Sequence, residues 1–176
     1  MERLTKERIL EAFAALAREL GQGTGRPTLY VCGGAALVLL YGARETTRDV
    51  DAFVAAGMDA GPLRAASGRV AEALGLPVDW LNDAAKGYAH GLTPGATVFE
   101  TENLLIRSLA PEQLLAMKLS AWRDDLDISD ARILLRSLPR EREAVWKLIE
   151  PHLVPGRELK ATYAFADIWG AEHEPR

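Results

Sequence analysis

The chain has 176 residues, 48% of them apolar and 26% charged, a composition that builds an ordinary globular core without disulfides or a structural metal. A formal net charge of −4 excludes a surface that is basic all over. It leaves room for a local basic patch but argues mildly against long nucleic-acid contacts, which rest on neutralising phosphates. Cys32 is the single cysteine, so no intrachain disulfide forms. No apolar run approaches the roughly 20 residues of a membrane span, and the N-terminus has no signal-peptide pattern. The expectation is a cytoplasmic protein with no membrane partner.

In chain order, Leu4, Ile9, Phe13, Leu16 and Leu20 recur at helical spacing and predict a helix over 4–20. Gly21, Gly23, Gly25 and Pro27 break it. Leu29 to Cys32 reads as a short buried strand ended by Gly33-Gly34. Ala35 to Tyr41 reads as a helix closed by Gly42. Asp49 to Val54 is the second predicted strand. Pro62 to Leu74 is a helix with Gly75 as its stop, and Val78 to Leu81 is a third strand. Residues 82–95 read as loop. Ala96 to Phe99 and Leu104 to Ser108 are further strands that suit a hairpin.

From Pro111 the texture becomes helical, because proline suits a first helical position and Leu114, Leu115, Met117 and Leu119 follow. Further helices are predicted over 128–138, 141–153 and 159–169. Asp127 reads as the N-cap of the second, with acidic neighbours favourable to its dipole. The division is an α/β core over 1–110 and a helical C-terminal region over 111–176.

Chemistry concentrates in residues 29–53, LYVCGGAALVLLYGARETTRDVDAF. Glycines at a strand-to-helix turn let backbone approach a phosphate closely, and the helix start offers free N–H groups. Asp49 and Asp51 are two apart on a strand, so their carboxylates share a face. Their mutual repulsion is relieved by a hard cation such as Mg²⁺, and two such ions would serve both the attacking and leaving oxygens of a phosphoryl transfer. Arg48 reads as an ion-pair partner of the acids. His90, His152 and His173 have no ligand spacing, and Cys32 reads as a buried strand residue. Trp80 reads as core or cleft wall, and Trp122, Trp146 and Trp169 as helix-packing anchors.

This segment resembles the nucleotidyltransferase superfamily related to DNA polymerase beta. More narrowly, it resembles the small bacterial nucleotidyltransferases of abortive-infection and toxin–antitoxin systems. The pattern of Gly-Gly, short helix, Arg/Thr-rich approach and Asp-x-Asp maps onto Gly33, Gly34, Arg44, Thr46, Thr47, Asp49 and Asp51. The likeness extends through Val78 to Asp83 and the helix of Lys118. It implies a mixed sheet flanked by helices, Mg²⁺ on Asp49 and Asp51, and a nucleoside triphosphate over Gly33-Gly34. Arg44, Thr47 and Lys118 would help to bind that nucleotide. The third catalytic carboxylate would be Asp79, with Asp83 as the alternative.

The implied activity is transfer of a nucleoside monophosphate to a hydroxyl of tRNA, a protein or a small molecule. The alternative is a catalytically weak or inactive module that binds a cognate toxin or antitoxin protein.

Overall fold

The structure is a computed structural model that describes residues 3–21, 25–55 and 59–173. Gly23, expected among the breakers of the first helix, lies outside these residues, as does the side chain of His173. The chain divides into two compact units, residues 1–86 with 94–108 and residues 87–93 with 109–176.

The first unit is mixed α/β. Strand β1 (Leu4–Thr5) leads into helix α1 (Lys6–Leu20). Leu4 and Thr5 were expected inside the helix. Instead they pair antiparallel with β3 (Thr46–Thr47), and the Thr5 hydroxyl accepts the Arg8 N–H at 3.2 Å. Threonine favours this N-cap position because its oxygen satisfies an amide that the first helical turn leaves open. Strand β2 (Thr28–Val31) runs into helix α2 (Gly33–Ala36), which continues as one π-helical stretch over Leu37–Tyr41. Strand β4 (Val50–Val54), helix α3 (Gly61–Leu74), strand β5 (Leu81–Asn82), a 3₁₀ turn (Ala84–Tyr88) and strands β6 (Pro94–Glu100) and β7 (Leu105–Leu109) follow.

The five-stranded sheet has the order β5-β4-β2-β7-β6. β2 is antiparallel to β4 and parallel to β7. β4 and β5 are parallel, and α3 supplies the crossover that parallel neighbours require. Leu29, Val31, Val50 and Ile106 on the sheet and Ile9, Phe13 and Leu16 on α1 are buried. Trp80 is completely buried and stands 6.4 Å from the Phe13 ring. Its indole N–H donates to the Ser67 carbonyl at 3.2 Å, which satisfies the donor that burial would otherwise strand.

The third strand differs from expectation. Residues 78–80 form a turn, closed by the Trp80 N–H on the Pro77 carbonyl at 3.0 Å. Pairing begins only at Leu81. Val78 is 82% exposed and the larger Trp80 takes the buried place.

The second unit is built around α4 (Pro111–Ala121), with α5 (Asp125–Arg136), α6 (Arg142–Ile149) and α7 (Glu158–His173) against it. Every α4 residue from Gln113 to Ala121 is buried, as expected of a helix enclosed on all sides. Its buried polar side chains, Gln113, Lys118 and Ser120, each have a partner. The Gln113 carboxamide accepts from Thr93 N–H at 2.7 Å and donates to the carbonyls of His90 and Gly91 at 3.2 and 2.9 Å. These bonds, with His152 against Thr93 and the His90 carbonyl, are why residues 87–93 belong to the helical unit. Ser120 Oγ accepts from Val154 N–H at 3.3 Å. Trp146 and Trp169 pack on Phe165 at 5.3 and 5.6 Å between ring centres, the anchoring role expected of them.

Candidate functional site in the mixed sheet

The end of β2, the start of β4 and the end of β5 meet in the first unit. Cys32 N–H donates to the Asp51 carbonyl at 2.9 Å, which continues the β2–β4 ladder to the edge of the glycine turn. Gly33 has φ +59, a left-handed conformation that side chains disfavour. A Cβ on Gly33 would stand 2.9 Å from Asp51 Oδ2, and one on Gly34 would stand 2.5 Å from Thr47 Oγ1 and 3.3 Å from Arg44 Nη1. The glycines are therefore needed for close approach by the chain's own side chains. Gly33 is thereby set against Asp51, and Gly34 against Thr47 and Arg44.

Asp49 immediately precedes β4 and Asp51 is its second residue. Val50, between them, is completely buried, so alternation turns both carboxylates to the opposite, half-buried face. Arg48 is exposed.

Asn82 is the residue that sequence reasoning missed. The parallel register sets it beside Asp51. Its Nδ2 donates to Asp49 Oδ2 and to the Asp79 carbonyl, both at 3.2 Å. Its Oδ1 accepts the Ala84 N–H at 2.9 Å. Next along, Ala85 N–H donates to Asp51 Oδ1 at 3.2 Å. Residues 82–85 thus grip both aspartates. The local signal was the run Trp80-Leu81-Asn82, but only a strand starting at Leu81 brings Asn82 level with Asp51. Asp79 lies in the turn before β5 with its side chain exposed, three residues short of that position. Asp83 is exposed and paired with Lys86 at 3.2 Å.

The donor set suits a hard cation. Asp49 and Asp51 offer carboxylate oxygens, and Mg²⁺ takes one or two carboxylates together with water and substrate phosphate. Among the described residues, no group of three or more His, Cys, Asp or Glu is arranged to hold a metal ion.

Lys118 belongs to the helical unit. Its ammonium is buried and lies 2.8 Å from Asp127 Oδ1 and 2.7 Å from Asp130 Oδ2. The other Asp127 oxygen accepts the backbone and guanidinium N–H groups of Arg123, each at 3.1 Å. Burial alone would raise the Asp127 carboxyl, but hydrogen bonds from Arg123 and Lys118 prevail and hold it at about 2. Asp127 is not the N-cap of α5. That position is Asp124, whose Oδ1 accepts the Asp127 N–H at 3.0 Å. The helix starts earlier than expected, which frees the Asp127 carboxylate to turn inward to Lys118.

No family model, curated protein or solved structure matches the chain. Among the described residues, no helix is long and apolar enough to cross a membrane.

Proposed function

We propose that the chain has a nucleotidyltransferase-type fold and catalyses Mg²⁺-dependent transfer of a nucleoside monophosphate from a nucleoside triphosphate to a hydroxyl. The observation that carries this reading is the convergence of Asp49 and Asp51 with the Gly33-Gly34 turn on one face of a mixed sheet. Asp49 and Asp51 are the residues to hold Mg²⁺, which when bound offsets their repulsion and the charge of the phosphates.

In the reaction the acceptor oxygen bonds to the α-phosphorus as the bond to pyrophosphate breaks. Asp79 is the candidate base for the hydroxyl proton. Its carbonyl is bound by the same Asn82 amide that binds Asp49, which keeps its main chain next to the acidic pair. Arg44 and Thr47, against Gly34, are candidates to meet the phosphates. The acceptor classes are a tRNA 3′ end, a protein side chain and a small molecule, within a toxin–antitoxin or phage-defence setting.

The test is incubation of purified protein with Mg²⁺, α-labelled triphosphates and cell RNA or protein. Label should pass to an acceptor in the wild type and not in D49N or D51N. Absence of transfer, together with absence of metal and nucleotide binding, overturns the reading.

A second reading, a partner-binding module, is favoured by one observation. The position beside Asp51 on β5 carries the carboxamide of Asn82 and not a third acid. A cellular phenotype that survives D49N with D51N would support this module; one that disappears would support catalysis.

A further inference from the structure

Helix α7 has an inner and an outer row. Ala161, Ala164, Phe165 and Ile168 are buried, on the side that packs against α4 and α5. Half a turn round the helix, Leu159, Tyr163, Ala166 and Gly170 follow at intervals of four, three and four residues, which sets them in one outward row. Leu159 is 69% exposed and Tyr163 70%; Ala166 is exposed and Gly170 half-exposed. The outermost row of a surface helix ordinarily carries charge, and this row carries none. Its spacing is that of a seam between two packed helices.

The row is its own complement. A two-fold interface sets residue i against residue j and j against i. With two copies of α7 antiparallel about the middle of the row, Leu159 meets Gly170 of the second copy and Tyr163 meets Ala166. Each large side chain then faces a small one, which lets the surfaces interlock. A parallel pairing would crowd Tyr163 against Tyr163 and leave a gap at Gly170. Charge favours the same orientation. Lys160 and Asp167 flank the row on one side, and both are exposed. Antiparallel packing sets Lys160 beside Asp167 of the second copy, twice by symmetry. Parallel packing would put these flanks on opposite sides of the seam and form no such pair. Lys160 Nζ donates to the Ala121 carbonyl at 2.6 Å, which leaves further N–H groups for an acid.

We infer that the outward row of α7 is a homodimer interface, in which two copies of the chain pack antiparallel through Leu159, Tyr163, Ala166 and Gly170. A seam of about three helical turns buries less than the roughly 1,600 Å² typical of stable interfaces, so the dimer is weak and dissociates in the micromolar range. The inference is independent of the chemistry at Asp49 and Asp51.

The experiment is sedimentation equilibrium of the full chain from low to high micromolar concentration, at low ionic strength where rim charges count. Circular dichroism checks the fold of each variant. Wild type should pass from monomer to dimer as concentration rises. Y163E brings a carboxylate against Ala166 and Asp167 of the second copy and should weaken the dimer roughly 10-fold or more. D167K should weaken it too, by setting lysine against Lys160. Adding K160E to D167K restores opposite charges and should recover affinity; the two single variants hold the test open if this pair fails to fold. Wild type that stays monomeric at every concentration would overturn the inference and leave the row to a different protein. A dimer with unchanged affinity in folded Y163E would overturn it as well. Unchanged affinity in folded D167K, or no recovery in a folded K160E with D167K, would overturn the antiparallel arrangement.

Discussion

The ammonium of Lys118 lies 2.8 Å from Oδ1 of Asp127, and both side chains are buried. With Asp130 at 2.7 Å, one lysine serves two enclosed carboxylates. Removing one member of such a cluster leaves uncompensated charge, which costs about 3–5 kcal/mol. Lys118→Met should lower unfolding stability by that order in urea titrations. A fully stable K118M that had lost nucleotide binding would instead point to a ligand role for this lysine.

The same cluster sets an acid limit. Asp127 titrates at about 2 in the fold, against an ordinary value of 3.8. A depressed carboxylate contributes stability that is complete above its unfolded value and is lost as pH falls through the folded one. Stability should therefore drop between roughly pH 4 and pH 2 by on the order of 2 kcal/mol from this group. Asp127→Asn, less stable at neutral pH, should show a shallower acid branch. Equal slopes for the two proteins would contradict the assignment.

At Gly34 a methyl group would meet Thr47 Oγ1 at 2.5 Å, and Thr47 is only 4% exposed. Overpacking of this kind costs about 1–3 kcal/mol. Gly34→Ala should lower the melting temperature, and adding Thr47→Ala should recover part of the loss. Strict additivity of the two changes would show that the contact does not constrain the turn.

Gln113 holds three backbone groups of residues 90–93. Gln113→Leu fills similar space but strands those groups, at about 1–3 kcal/mol for each that finds no water. Amide exchange at Thr93 should accelerate more than exchange in α7. A uniform change across the helical unit would argue against a local staple.

Much of this architecture was legible locally. Gly42 and Gly75 end helices where expected, with φ of +58 and +65. Pro111 opens α4 as its position suggested. Strand β2 also lies within one residue of the predicted strand before the glycine turn, and Asp49 and Asp51 flank Val50 at the start of β4. The errors cluster where a distant partner decides. Leu4 and Thr5 leave the helix because Thr47 and Thr46, more than 40 residues along the chain, offer them a strand pairing. Residues 78–80 turn where a strand was expected, and Trp80 is buried with its indole N–H on the Ser67 carbonyl.

The sequence by itself determined the periodic elements and the shared face of the two aspartates, because both follow from backbone repeats of a few residues. Tertiary structure alone decided which residue stands beside Asp51 and what surrounds Lys118. A one-residue shift in where β5 begins exchanges the faces of its side chains, and the register against β4 is set by pairing across the sheet. The carboxylates of Asp127 and Asp130 reach Lys118 only when α5 packs on α4, so the environment of that lysine is a property of the packed helices and not of the run of residues around it.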